Sequence, residues 1–167
     1  MTASIFFGRL LSVDEAVSWR AEMRSQNRSV VFTNGCFDLL HAGHVEYLAW
    51  ARKQGDALIV GLNEDASVRR IKGESRPIVP FAQRATVLLG LRSVDAVVGF
   101  GERTPELLLD RIAPDVHVKS DQYREDELPE RSVVLQHGGR IALAPHIPCA
   151  STTELIARIL RTFSGSS

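Results

Sequence analysis

An excess of charge of one sign is missing from this chain. Its 167 residues carry 20 Lys and Arg against 20 Asp and Glu. No global field therefore draws it to nucleic acid or to an anionic membrane, and any anion recognition must be local. Cysteine is scarce: Cys36 and Cys149 are the only two, too few for a disulfide framework, which favours a reduced, cytoplasmic setting. No apolar run approaches the roughly 20 residues of a membrane-spanning helix. The apolar Ile5-Phe6-Phe7 has no charged region before it and no clear cleavage site, which argues against a signal peptide. Two phosphate-binding fingerprints are absent as well. There is no G-x-G-x-x-G and no G-x-x-x-x-G-K-[ST], which removes the usual dinucleotide and P-loop signatures. Internal repeats, low-complexity tracts and interdomain linkers are also lacking, and the length suits one domain with a full core.

What is present is an alternation of strands and helices. Ser12-Val13-Asp14-Glu15 reads as a capping box opening a helix to about Arg24. Strands are expected near 29–33, 57–62, 95–100, 116–118 and 141–143. The second, Ala57-Leu58-Ile59-Val60-Gly61-Leu62, is continuously apolar, as a strand buried on both faces must be. Helices are expected near 43–54, 63–70, 80–91, 105–112 and 151–163, with another contained within 126–137 and Thr104 as a cap before Pro105. Such alternation predicts a parallel sheet covered on both faces.

The most informative stretch is Thr33-Asn34-Gly35-Cys36-Phe37-Asp38-Leu39-Leu40-His41-Ala42-Gly43-His44, where the first of these strands turns into a helix. Helix-start N–H groups and the macrodipole favour negative charge there. Imidazoles add hydrogen bonds to phosphate oxygens, and glycine admits a close backbone approach.

The run G-C-F-D-L-L-H-A-G-H after a strand resembles the signature of the nucleotidyltransferase superfamily. Further features resemble one branch, the heptose 1-phosphate adenylyltransferases. They are Ala51 to Asp56, Val60 to Val68, Lys72-Gly73-Glu74-Ser75-Arg76-Pro77, Gln83-Arg84, Val94-Asp95, Thr104-Pro105, Pro114-Asp115 with Val118-Lys119, and Ser151-Thr152-Thr153. The resemblance runs from about residue 11 to residue 160. It departs at one point: the family's V-K-G-G-D-Y is here Val118-Lys119-Ser120-Asp121-Gln122-Tyr123, so Asp121 is the candidate for the missing carboxylate.

The resemblance implies a single Rossmann-like α/β domain over 28–163. Its five-stranded parallel sheet would have the order 3-2-1-4-5, preceded by an extension over 1–27 with one helix and followed by a frayed tail over 164–167. It implies the stand-alone form of an enzyme that in many bacteria is fused behind a sugar kinase. The implied reaction joins AMP from ATP to heptose 1-phosphate, giving ADP-heptose and pyrophosphate for bacterial surface polysaccharide. His41, His44 and Lys119 would be catalytic. Asn34, Gly35, Cys36, Phe37, Gly43, Ser151 and Thr152 would join them in binding ATP, whose triphosphate would carry most of the ligands of Mg²⁺. Asp38, Asn63, Lys72, Arg76, Asp121 and Tyr123 would bind the acceptor. The implied partners are these small molecules, with no nucleic acid and no membrane, and the resemblance admits a homodimer.

Several readings stay open beside this one. The acceptor could be glycerol 3-phosphate or another sugar phosphate, the nucleotide could be CTP, or the domain could bind nucleotide without catalysis. Cys36, His41, His44 and Cys149 could instead ligate zinc. Ser151-Thr152-Thr153 is by itself a helix cap, Lys72 and Arg76 are by default solvated charges, and Arg84 could pair structurally with a carboxylate. Asn63 could contact ribose or cap a helix. His146 is a weaker candidate for a phosphate contact, and His117 and His137 read as structural or surface residues.

Overall fold

The structure, a computed structural model, describes residues 8–146 and 151–163. Strand β1 (Arg9–Leu11) leads into helix α1 (Val13–Ser25), which opens with the expected capping box: Glu15 N–H donates to Ser12, and Ser12 N–H donates to Glu15. Then follow β2 (Val30–Gly35), α2 (Ala42–Arg52), β3 (Ala57–Asn63), α3 (Asp65–Lys72), α4 (Phe81–Leu89), β4 (Ala96–Phe100), α5 (Glu106–Ile112), β5 (Val116–Ser120), α6 (Arg131–Gln136), β6 (Arg140–Ala144) and α7 (Thr152–Phe163). All six strands are parallel, in the order β1-β4-β3-β2-β5-β6.

The expected five-strand order is present in full, but the sheet has six strands. β1 pairs with β4 and extends the sheet by one edge strand. Its three residues, with Arg9 and Leu10 exposed, carry no alternation a sequence could reveal; pairing with β4 makes them a strand. The helix expected within 126–137 is present but short. A single 3-10 turn, Glu125–Glu127, stops at Leu128-Pro129, and α6 begins only at Arg131. Proline cannot donate the N–H a continuous helix would need. Nor does Thr104 cap α5, whose N-cap position is Pro105 and has no side-chain hydrogen bond.

The core lies in two layers. Val31, Leu58, Val60 and Leu62 face α2 and α4, packing on Leu48, Ala51, Ala85 and Leu88. Val30, Phe32, Ile59 and Val98 face the other way, onto Ala16 and Met23 of α1, Leu108, Leu109 and Ile112 of α5 and Val134 of α6. β3 is buried at all seven positions, as its unbroken apolar run required.

Three aspartates set the strands in register at the amino ends. Asp56 accepts the Ser29 N–H at 2.8 Å, Asp95 that of Leu58 at 2.7 Å, and Asp115 that of Val30 at 2.7 Å. Asp115 also binds the buried Arg20 at 2.7 Å. The Gly-Asp, Val-Asp and Pro-Asp pairs of the sequence are thus clamps at the end of the sheet away from the histidine turn.

At the carboxyl ends one pair of strands parts. β2 pairs with β3 over six residues, Val30 to Gly35, but with β5 only at Val31 and Phe32. Beyond that point the Val118 carbonyl accepts from the hydroxyls of Thr33 and Tyr47, both at 3.0 Å. Two hydroxyls replace the ladder, so the strands splay without an orphaned carbonyl. This opening lies at the switch point of the sheet, where open α/β folds bind ligands.

Arg84 holds the loops around the opening. It is 1% exposed and donates to the carbonyls of Cys36 at 2.6 Å, Asn63 at 2.8 Å and Val79 at 2.9 Å, and to the Asp65 carboxylate at 2.7 Å. The structural pairing anticipated for Arg84 is therefore present. Removing it takes the donor from three carbonyls and the ion-pair partner from Asp65. Arg84→Met is expected to lower unfolding stability by about 3–5 kcal/mol, read from urea transitions, and Arg84→Lys by a smaller but clear amount. A loss below about 1 kcal/mol for Arg84→Met would show that the loops hold without it.

His117 in β5 is fully buried, and burial, with Lys119 nearby, lowers its pKa to about 3. An unfolded histidine titrates near 6.5. As pH falls, the unfolded chain takes up the proton first, so stability present at pH 7 is lost from about pH 6.5 down towards pH 3. Between pH 7 and pH 5 this group should cost about 2 kcal/mol. His117→Gln should show a correspondingly flatter change in urea stability over that interval, whatever its stability at pH 7; equal changes in both proteins would refute the assignment.

Candidate active site at the histidine turn

The splayed strands open into a cavity of about 750 Å³. Its wall brings together residues far apart in the chain: Asn34, Phe37, His41 and His44 of the turn, Lys72 and Arg76, Lys119 with Tyr123, and Ser151 with Thr152. Gly35, Cys36, Asp38, Gly43 and Asn63 line it too. Of the residues expected from sequence to be catalytic or to bind ATP or acceptor, Asp121 alone is not part of the wall. Its carboxylate accepts the His146 N–H at 2.8 Å and its own N–H donates to Ala144, so it ties the loop after β5 to the end of β6. Gln122 and His146, 3.5 Å from one another, do line the cavity.

The turn itself is tightly built. Phe37 has φ 45, a left-handed conformation that costs a bulky side chain energy and persists only where its surroundings impose it. Its ring is buried against Gly35, where a Cβ would stand 2.9 Å from the ring, and meets His44 edge-on at 5.3 Å between centroids. The His41 and His44 rings stack at 3.8 Å. Burial, and His41 beside it, lower the His44 pKa to about 4. At neutral pH His44 is therefore an uncharged donor. Its Nδ1 is buried and has no hydrogen-bond partner among the described residues, so Nε2 is the ring nitrogen left to serve a ligand. His41 occupies the N-cap position of α2 without a side-chain cap; the His44 N–H donates to the His41 carbonyl at 3.0 Å, which leaves the first two N–H groups of the helix without a side-chain cap.

Asp38 grips a neighbouring loop. It is 4% exposed and accepts from the N–H groups of Ile78 and Val79 at 2.9 Å, and from Arg76. These donors hold its carboxyl below the usual range against the effect of burial. Asp38 and Arg76 thus satisfy each other while both line the cavity. Asn63 is likewise engaged: its Nδ2 donates to Ser67 at 3.0 Å. Cys36 sits beside it, its Sγ 3.9 Å from Asn63 Oδ1, and burial pushes its thiol pKa up, the opposite of what a nucleophile needs.

Lys119 lies at the end of β5 over the Tyr123 ring, 5.2 Å from its centre. Its Nζ is 2.9 Å from Glu130 and 3.4 Å from Asn34 Oδ1. Glu130 is 2% exposed, and its second oxygen has no hydrogen-bond partner among the described residues. Sequence reasoning missed Glu130, one acid in a segment rich in them, and gave no weight to Tyr47 or Arg103, which also line the cavity. Tyr47 was the more readable of the two, three residues beyond His44 and hence on the same helix face.

The start of α7 is capped, as its sequence suggested. Ser151 and Glu154 form a reciprocal capping box, Glu154 N–H to Ser151 at 3.2 Å and Ser151 N–H to Glu154 at 2.6 Å. Thr152 donates to the Leu39 carbonyl at 3.3 Å, docking this helix start onto the histidine turn, and all three hydroxyl residues line the cavity. Among the described residues no group of three or more His, Cys, Asp or Glu is placed to hold a metal ion. Cys36, His41 and His44 form no such group, and Cys149 lies outside the described residues. No described helix is long and apolar enough to cross a membrane.

Known proteins are similar to this chain. Residues 32–158 match the family model described as cytidylyltransferase-like. The bifunctional protein HldE of Alkalilimnicola ehrlichii is 47% identical over 150 residues, covering 90% of this chain and 31% of that protein. Its counterpart from Halorhodospira halophila is 49% identical over 138 residues, 83% of this chain and 29% of its own length. The chain thus spans about a third of the curated relatives it matches. Among solved structures, the lipopolysaccharide core biosynthesis protein from Thermoplasma volcanium GSS1 aligns with TM-score 0.60 and 26% identity, over 74% of this chain and 99% of that one. Pantoate-beta-alanine ligase from Francisella tularensis, complexed with beta-gamma ATP and beta-alanine, aligns with TM-score 0.57 at 14% identity, over 96% of this chain and 80% of that one, a likeness of fold alone. With a matching model over most of its length and the histidine turn, Lys119 and the α7 start lining one cavity, the chain belongs to the cytidylyltransferase-like family.

Proposed function

We propose that this protein is an adenylyltransferase that joins AMP from ATP to heptose 1-phosphate, releasing pyrophosphate and giving ADP-heptose for surface polysaccharide in the cytoplasm. One observation carries the reading: His41, His44, Lys119 and the Ser151-Thr152 helix start line a single cavity at the switch point. The 47% identity to HldE and the likeness to a lipopolysaccharide core biosynthesis protein support it.

In the proposed reaction a phosphate oxygen of the sugar attacks the α-phosphorus of ATP. The bond from that phosphorus to the bridging oxygen breaks, and pyrophosphate takes the electron pair. The attacking phosphate is already ionised at neutral pH, so no general base is needed. The protein's task is positioning and charge stabilisation. His44 donates a neutral N–H to phosphate oxygens, and His41 lies stacked beside it. Lys119 supplies a point charge, held in place by Glu130. The α7 start receives the leaving pyrophosphate through hydroxyls and helix-start N–H groups. Mg²⁺, when bound, would offset charge on the triphosphate, and the oxygens of the triphosphate itself are assigned as its main ligands.

Pyrophosphate release with ATP and heptose 1-phosphate tests the reading. His41→Ala and His44→Ala should each lower kcat by about 10²–10³-fold without loss of fold by circular dichroism. Turnover only with CTP or another phosphorylated acceptor would move the assignment within the class. ATP binding with no release for any acceptor would make the protein a binding module instead.

A second expectation concerns His44 alone. Its ring should titrate near pH 4 in the free protein. With ATP bound, the phosphate charge favours the imidazolium, so its midpoint should rise by at least about one unit. Side-chain NMR of His44 with and without ATP measures this, and an unmoved midpoint would separate His44 from the phosphates.

A further inference from the structure

The cavity wall carries four long cationic side chains, Lys72, Arg76, Arg103 and Lys119. Two of them are already neutralised. Arg76 pairs with the buried Asp38, and Lys119 with the buried Glu130. Lys72 and Arg103 have no carboxylate partner among the described residues, and they stand on the same side. Lys72 ends α3, which follows β3, and Arg103 lies three residues beyond β4, the neighbour of β3. The opposite side, beyond β5, holds the carboxylates Glu127 and Glu130. The cavity is therefore polarised, with its uncompensated positive charge at the β3–β4 end.

We propose that Arg103 is a specificity-determining residue that, with Lys72, binds the phosphate of the acceptor. This deepens the proposed function and rests on it. In-line displacement puts the attacking and leaving oxygens on opposite sides of the α-phosphorus. If pyrophosphate leaves towards Lys119 and the α7 start, the attacking phosphate enters from the β3–β4 side, where the two unpaired cations stand. A guanidinium suits that task, because its planar fork can grip two phosphate oxygens at once.

The loop that carries Arg103 is built to hold it. Ser67, fully buried, donates to the Glu102 carbonyl at 2.6 Å, and Asn63, 3% exposed, reaches the same oxygen at 3.5 Å. Arg70 donates to the carbonyl of Gly101. Three side chains thus fix the two peptide groups just before Arg103 and leave its own side chain exposed at the cavity. A merely solvated arginine needs no such anchoring. Asn63, expected from sequence at the ribose or at a helix cap, becomes a positioning residue for this loop.

Steady-state pyrophosphate release separates the two substrates. Arg103→Ala should raise KM for heptose 1-phosphate roughly tenfold or more while KM for ATP stays within about twofold, and Arg103→Lys should fall between. A rise in KM for ATP instead, or no change in either, overturns the proposal. A second measurement keeps it independent of the acceptor's identity. Inorganic phosphate is titrated by calorimetry into protein saturated with a non-hydrolysable ATP analogue, so that the triphosphate positions are filled. Phosphate should bind the wild type and bind Arg103→Ala more weakly; equal binding, or none to the wild type, overturns the subsite. If the wild type binds phosphate through Arg103 yet never turns over heptose 1-phosphate, the functional reading fails and the subsite stands.

Discussion

The guanidinium of Arg84 is the interaction on which the site depends. Three chain segments meet at the carboxyl end of the sheet: the exit of β2 at Cys36, the exit of β3 at Asn63, and the loop at Val79. A carbonyl left bare in this interior would cost about 1–3 kcal/mol. One buried cation answers all three and takes its countercharge from Asp65 at the first position of α3. A second charge pair, Asp38 with Arg76, fastens the adjoining loop to the histidine turn. The loops that carry chemistry are thereby held by buried charges of fixed geometry. A buried ion pair adds little net stability, so its value lies in specifying one arrangement of those loops.

The same use of buried charge recurs at Lys119. Glu130 holds the amine near Asn34 and below the open part of the cavity. The cost of burying that carboxylate, with one oxygen left without a partner among the described residues, falls on stability. The benefit falls on the placement of a single cation. Strain at Phe37, in the left-handed region against Gly35, has the same character.

How much of this could be read from the amino acids follows from the range of each interaction. The alternation of apolar runs with helical segments reported the central strands, because strand burial is written locally in β3's seven buried residues. The superfamily order of those strands then brought residues 34–44, Lys119 and Ser151 together before any coordinates. β1 was not legible, since it becomes a strand only by lying against β4. The helix read within 126–137 is present as α6, and Pro129 sets where it can begin. The aspartates at 56, 95 and 115 stood out in the sequence, yet nothing local says that they bond the backbone of the adjacent strand. Asp121 looked like a substrate ligand because it fills a gap in a motif, whereas the neighbouring His146 N–H claims its carboxylate. Glu130 and Arg103 gave no signal at all: an acid among acids and an arginine in a loop acquire meaning only from what lies across the cavity.

The parting of β2 from β5 has a wider consequence. The cleft stays open because Thr33 and Tyr47 satisfy the Val118 carbonyl. Lys72, Arg76 and Arg103, which also line the cavity, play no part in that. The opening and that part of its lining are thereby uncoupled, so a position such as 103 can change while the opening itself persists. A fold made this way can alter what lines its cavity without having to rebuild the cavity.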